Sequence, residues 1–311
     1  MTFALRSRYQ WKLRTRFLPL GEQTIVMGVL NTTPDSFSDG GAFSTPAAAI
    51  EHALDMLEEG AGIVDVGGES TRPGKRRPVG IQEEIDRVLP VLEGILRHRP
   101  DAVLSIDTYK SETARAALAA GAEIVNDVSG FLWDEAMARV CAEAKCGVVL
   151  MHTRGRPEEW HALPALDADA VVPYIKQALR QRLEGALQAN VERQRIILDP
   201  GFGFGIIGEE NYHLLAGLEQ LSTLERPLLA GPSRKRFLGK TLSTLYAPRD
   251  APPDAPLDRQ SEILVGRRGN ATLAATTAAI LNGAHLVRVH EVRAAREAAA
   301  IADAILAAAR H

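Results

Sequence analysis

The chain has 311 residues, 46% of them hydrophobic, enough for one large core. Its formal net charge of -3 leaves no global basic field for nucleic acid or an anionic membrane, so any anion site must be local. No apolar run approaches transmembrane length, and the cysteines, Cys141 and Cys146, have neither CxxC nor metal-ligand spacing, so buried reduced thiols in a cytoplasmic protein are expected.

In residues 1–24, Trp11, Leu13 and Phe17 alternate with Lys12, Arg14 and Arg16. That period of two predicts a strand pair with one covered face, an extension capping one end of the fold. The same stretch is Arg-rich and has no acid before Glu22, so a transit peptide is the rival reading. Residues 25–30 form a short, branched, apolar run, the pattern of a strand buried on both faces, and it stops at Asn31 before the polar loop TPDSFSDGG.

Helix and strand then alternate without a break. Residues 46–59 read as a helix with Thr45 as N-cap, Pro46 at the first helical position and Gly60 as the stop. Strand 61–66 ends in GGESTRPG, which carries Glu69, Thr71 and Arg72. Helix 82–97 leads to strand 102–106, ending at Asp107 and Thr108; helix 111–120 leads to strand 123–125, ending at Asn126 and Asp127. A helix over Cys141 precedes strand 147–151, which ends at His152, and helix 167–189 precedes strand 195–198, which ends at Asp199 in DPGFGFG. Helix 209–220, strand 227–230 with its loop GPSRKRFLG, a Pro-rich interval at 247–256, helix 259–281, strand 285–290 and a final helix complete the chain.

Eight strands, each followed by a helical pattern, predict an α/β fold with a parallel sheet, and the count is that of a single (β/α)8 TIM barrel over residues 25–311. An open doubly wound sheet would carry a glycine fingerprint opening its first helix, and none is there.

Polar residues gather at or just past the strand ends: Asn31, Glu69, Asp107, Asn126, His152, Asp199, Lys235, and Arg288 with His290. That is the rim on which barrel enzymes build their sites. Any one of them could be a turn former or a helix cap; together they form a site. Asp107, Asn126 and Asp199 suit a flat, donor-rich heterocycle held edge-on, with a paired-carboxylate hydrolase as the rival. Arg288 and His290, two apart on one strand, face one side and offer donors to phosphate oxygens, while a rim salt bridge is the alternative for Arg288. On this pattern a ring pocket and an anion clamp are separate halves, so removing Arg288 is expected to spare ring binding.

MGVLNTTPDSFSDGG, DVGGESTRPG, SIDT, NDVSG, MHTRG, LDPGFGFG, GPSRK and VRVH, in this order, resemble the dihydropteroate synthases, pterin-binding barrel enzymes of folate biosynthesis, over about residues 20–292. The first and seventh loops are specific to that family, whereas NDVSG and DPGFGFG are shared more loosely with other pterin-binding barrels. The resemblance implies a transferase that joins 6-hydroxymethyl-7,8-dihydropterin diphosphate to 4-aminobenzoate, releases diphosphate, requires Mg2+, and acts as a homodimer and a sulfonamide target. It also implies that Asp107, Asn126, Asp199 and Lys235 grip the pterin, with Phe204 near the ring. Asn31 would bind magnesium and diphosphate, and Arg72, Arg288 and His290 the diphosphate oxygens. Thr71, Pro73, Phe37 and Ser233 would border the aminobenzoate, with Asp35 facing the reacting carbon; Asp35, Arg72, Lys235 and Arg288 are the implied catalytic set. Loops around Phe37 and Thr71 are expected to close only over bound diphosphate, so that aminobenzoate binds last.

The chain departs from the family pattern at Ile206, where a lysine usually follows GFG, at Arg154, where a glutamine often precedes the glycine, and in the proline-rich interval from 240 to 260. Two rivals stand beside this function. A methyltetrahydrofolate-binding methyltransferase would share the pterin grip but not the diphosphate clamp. A non-catalytic pterin-binding homologue should have lost Arg288, His290, Arg72 or Asn31, and all four are present.

Overall fold

The computed structural model describes residues 3, 5–33, 45–69, 79–246 and 268–309. Eight parallel strands form the centre: β3 (Ile25–Asn31), β4 (Ile63–Gly67), β5 (Leu104–Asp107), β6 (Ile124–Asp127), β7 (Gly147–Met151), β8 (Ile196–Asp199), β9 (Leu229–Ala230) and β10 (Leu286–Val289). Each pairs with its sequence neighbour from β3 to β8, and β10 lies between β9 and β3, in register Leu286 to Ile25. A parallel bridge between Leu198 and Leu228, and a 3.0 Å bond from the Leu198 N–H to the Pro227 carbonyl, join β8 to the β9 segment. The sheet is therefore a closed barrel, as the strand count predicts.

Nine helices are described: α1 (Pro46–Glu58), α2 (Ile81–His98), α3 (Ser111–Ala119), α4 (Met137–Ala144), α5 (Val171–Gln188), α6 (Glu210–Ala216), α7 (Arg236–Tyr246), α8 (Gly269–Leu281) and α9 (Val292–Ala308). Thr45 caps α1, its Oγ1 accepting from the Ala48 N–H at 3.3 Å, with Pro46 following as expected. Some boundaries differ from the sequence pattern: helix α5 begins at Val171 rather than 167, the 209–220 stretch divides into α6 and a 3-10 helix, Leu218–Leu224, and α7 begins at Arg236, inside the stretch expected as the loop GPSRKRFLG. The early part of the expected 259–281 helix lies outside the described residues.

Strand alternation sorts the side chains into two layers. Outward positions such as Val64, Val66, Leu104, Ile106, Val148, Leu150, Leu198 and Val287 pack against helix residues that include Met56, Leu92, Ile95, Ile175 and Leu179. Inward positions at the amino end, Met27, Ile63, Val103, Ile124, Val149, Ile197, Leu229 and Leu286, form a separate apolar cluster with Trp11, Leu13 and Leu20. Those three come from the expected strand pair, β1 (Tyr9–Lys12) and β2 (Phe17–Leu20), antiparallel with Tyr9 opposite Leu20. Trp11 also donates from Nε1 to the Arg195 carbonyl at 2.8 Å. The pair plugs the amino end, but Phe17 is 54% exposed. A turn closed by the Leu13 N–H on the Arg16 carbonyl resets the alternation, so Leu20 rather than Phe17 joins the covered face.

Both cysteines are buried, reduced thiols, as expected. No helix among the described residues is long and apolar enough to cross a membrane.

Candidate active site at the carboxyl mouth of the barrel

Counting by twos from the apolar plug places the polar inward positions. Ile63 leads to Asp65 and Gly67, Val103 to Ser105 and Asp107, Ile124 to Asn126, Ile197 to Asp199, and Leu286 to Arg288 and His290. The barrel interior is therefore apolar at its amino end and polar above it.

Arg288 is the centre of this upper layer. Its Nε donates to Asp65 Oδ2 at 2.7 Å, and its Nη2 donates to Asp107 Oδ2 at 2.6 Å. Asp65 Oδ2 also accepts from Asn126 Nδ2 at 2.9 Å. The Arg288 salt bridge is thus real, but it lies inside the barrel rather than over the rim, and it joins the ring-binding candidates to the anion-binding candidate. The two sets of candidates are thus in direct contact rather than spatially separate.

Asp65 is fully buried and was not among the sequence candidates. Loss of solvation pushes the Asp107 carboxyl up to about 7; Arg288 works against that shift and the Asp65 charge adds to it. Burial opposes the Arg288 cation, yet Asp65 and Asp107 together push its pKa above the ordinary value.

Asp199 is held by the turn that follows it. Its Oδ1 accepts from the Gly201 N–H at 2.8 Å, which leaves Oδ2 for a bound group. Gly201 has φ +77°, and a Cβ there would stand 1.9 Å from the His152 carbonyl oxygen, so only glycine fits this close approach. Burial pushes Asp199 up to about 6, against the Gly201 bond and the charges of Lys235 and Arg288. Lys235 Nζ stands 3.8 Å from the Phe204 ring centroid, a cation over an aromatic face. Phe204 in turn meets Trp160 edge-on at 5.4 Å. Ser233 Oγ lies 2.9 Å from His290 Nδ1 and also accepts from the His290 backbone N–H at 3.3 Å, which fixes the ring at the end of its strand.

Asn31 closes β3 beside Gly67. A Cβ on Gly67 would lie 3.6 Å from Asp107 Oδ2 and 3.8 Å from Asn31 Oδ1, so the glycine keeps a small oxygen-lined cradle open. No group of three His, Cys, Asp or Glu side chains among the described residues could hold a metal by itself. Asp35, Phe37, Thr71, Arg72 and Pro73 lie outside the described residues.

Other rim residues turn away from the mouth. Met151 follows inward Val149, so His152 points outward: it bonds the Pro200 carbonyl through Nδ1 at 3.1 Å and meets Tyr174 edge-on. Burial drives its pKa down to about 3, so the ring is neutral. Glu69 accepts from Tyr109 and Lys110 and braces the loop after β5. Asp127, pushed up to about 6 by burial, accepts from Ser129 and from the Phe131 N–H, organising its own loop. Arg154 is buried rather than at the rim, with Nη1 on the Gly205 carbonyl at 3.2 Å and Nη2 on the Pro164 carbonyl at 2.8 Å. Ile206 packs into the apolar core, so residue 206 brings no cation to the ring pocket.

Comparison with known proteins places this arrangement. Residues 27–290 match the family described as pterin binding enzyme. A dihydropteroate synthase from Synechocystis sp. is 41% identical over 285 residues, covering 92% of this chain and 91% of the relative. One from Bacillus subtilis is 39% identical, covering 92% and 90%. Among solved structures, Yersinia pestis dihydropteroate synthase with a sulfonamide drug superposes with TM-score 0.83 at 35% identity, covering 96% of this chain and 99% of the other. The Xanthomonas albilineans enzyme in complex with 7,8-dihydropteroate gives 0.77 at 36% identity, covering 97% and 99%.

Proposed function

The chain belongs to the pterin-binding enzyme family, and on that premise we propose that it joins 6-hydroxymethyl-7,8-dihydropterin diphosphate to 4-aminobenzoate, giving 7,8-dihydropteroate and diphosphate in folate biosynthesis. The observation that carries this is the convergence of Asp107, Asn126, Asp199 and Lys235 with Arg288 in one layer inside the barrel mouth. With Asn126 Nδ2 engaged by Asp65, its oxygen and those of Asp107 and Asp199 offer acceptors to the donor-rich edge of a pterin. Lys235 and Phe204 flank the ring, while Arg288 and His290 are the donors for the diphosphate.

The reaction transfers the pterin methylene from oxygen to nitrogen. The C–O bond breaks with its electrons on the diphosphate, the lone pair of the arylamine forms the new C–N bond, and the amine proton passes to water. Cations around the leaving oxygens favour departure, and the ring can delocalise charge at the methylene. No covalent enzyme intermediate is required. Magnesium fits the donor chemistry at the cradle: a hard dication takes oxygen ligands and is commonly held by one or two protein oxygens with substrate phosphates. Asn31 would supply one such oxygen, and bound magnesium would neutralise charge on the leaving diphosphate. The roles of Asp35, Phe37, Thr71, Arg72 and Pro73 rest on the sequence resemblance. So does homodimeric assembly, whereas the domain boundary at residue 25 rests on the strand pattern and a cytoplasmic location on composition and cysteine usage. A sulfonamide would compete for the aminobenzoate position.

The methyltransferase rival has no use for Arg288 and the Ser233–His290 pair on one side of the mouth. Diphosphate release from the two substrates, measured with and without magnesium, tests the assignment; a folded protein that binds pterin but never releases diphosphate would instead be the non-catalytic homologue.

A further inference from the structure

Among the described residues, the mouth of the barrel contains a charged group that the reaction scheme leaves unused. Asp65 sits in the middle of β4, fully buried, beside the groups that meet the ring. Its two oxygens are used very unequally. Oδ2 accepts both from Arg288 Nε and from Asn126 Nδ2, while Oδ1 is buried with no hydrogen-bond partner among the described residues. A half-satisfied buried carboxylate is a poor device for stability, because the bare oxygen loses its hydration without replacement. What the arrangement fixes is orientation.

An asparagine amide can present either its oxygen or its nitrogen to a ligand, and the two choices are opposite in hydrogen-bond sense. By taking Nδ2, Asp65 turns Asn126 Oδ1 away from itself. By taking Nε, it also pins one edge of the Arg288 guanidinium and leaves the Nη groups to reach Asp107 or an anion. We propose that Asp65 is a positioning residue that writes the donor–acceptor pattern of the ring pocket, acting through Asn126, and ties that pattern to the orientation of the anion-binding arginine. This rests on the pterin-transfer reading given above.

The substitution to make is Asp65→Leu, of nearly the same shape, which removes the acceptor that selects one Asn126 rotamer. Affinity for 6-hydroxymethyl-7,8-dihydropterin, which lacks the diphosphate, should fall about 5- to 150-fold, the range for one mismatched buried hydrogen bond. Turnover with the diphosphate substrate should fall as well. The double variant Asp65→Leu/Asn126→Ala should lose less affinity for the pterin than the two single losses combined, because the effect of Asp65 passes in part through Asn126. A group acting only on fold stability would instead lower the melting temperature and leave the affinity of the folded fraction unchanged.

Wild-type protein supplies a test independent of any variant's folding. The side-chain amide protons of Asn126 and the Nε–H of Arg288 should be protected from exchange in 15N spectra and stay protected when the pterin is added. Additive losses in the double variant, unchanged pterin affinity in folded Asp65→Leu, or loss of that protection on ligand binding would overturn the proposal. Absence of turnover in the wild-type protein would instead strike at the transfer reaction itself and leave the pterin-binding tests standing.

Discussion

Replacing Asp199 by asparagine should weaken function and strengthen the fold at once. In the native site Oδ1 is committed to the Gly201 N–H and Oδ2 is left for the ring. Asparagine can keep only one of these matches. If its oxygen accepts from Gly201, its NH2 faces the donor edge of the pterin; if it flips, the NH2 faces the Gly201 N–H. Either choice buries one mismatched pair, costing about 1–3 kcal/mol, so pterin affinity should drop about 5- to 150-fold.

Stability should move the other way. Burial raises the folded-state pKa of Asp199 to about 6, above the ordinary carboxylate value. A group raised in this way favours the folded state when protonated, at low pH, and that contribution is lost as pH rises through about 6. Asparagine has no charge to bury, so the variant should melt above wild type at about pH 8, with the gap closing near pH 4. Calorimetric titration of 6-hydroxymethyl-7,8-dihydropterin at about pH 7.5, with thermal melts at both pH values, reads the two effects. Unchanged affinity would remove Asp199 from the pocket, and a lower melting temperature at high pH would show that ionised Asp199 stabilises the barrel.

Arg288→Ala leaves Asp65 and Asp107 buried together without their cation; it should destabilise the protein by about 3–5 kcal/mol and weaken both the pterin and its diphosphate, and a loss confined to the diphosphate in titration would refute the coupling of the two halves. Trp11→Ala removes the largest side chain of the amino-end plug; a stability loss of about 3–5 kcal/mol by denaturant melts is expected with pterin affinity unchanged, and altered affinity would contradict the separation of plug from mouth. Magnesium should show no measurable binding to the protein alone in calorimetry, because no cluster of three acidic or metal-ligating side chains is present among the described residues, and should bind once the pterin diphosphate is added. Aminobenzoate should titrate only into that ternary complex; equal affinity for the free protein would show a preformed slot.

The barrel was legible because each strand is a short apolar run ended by a turn signal, and each helix between them is marked by a cap or a stop, as at Thr45 and Gly60. The amino-end cap was legible for the same reason: Trp11 and Leu13 keep strand period, although Phe17 misleads because the intervening turn shifts the alternation. Among site residues, those at strand ends stood out against their apolar neighbours. Asp65 did not, since it lies in the middle of IVDVG rather than at a strand end. A charge in the middle of a strand buried on both faces, at an inward position two before Gly67, was the available signal. The alternation rule applied throughout would also have turned His152 and Asp127 away from the mouth, since each follows an inward neighbour. Arg154 could not be placed from its position in MHTRG, because one of its partners, the Gly205 carbonyl, comes from a loop distant in sequence.

The measurement that bears most directly on the central claim is diphosphate release on mixing the purified protein with 6-hydroxymethyl-7,8-dihydropterin diphosphate, 4-aminobenzoate and magnesium, with the organic product identified by mass. Release of one diphosphate per 7,8-dihydropteroate formed, lost when magnesium or either substrate is left out, is the predicted result. Folded protein that binds the pterin yet releases no diphosphate under these conditions would contradict it.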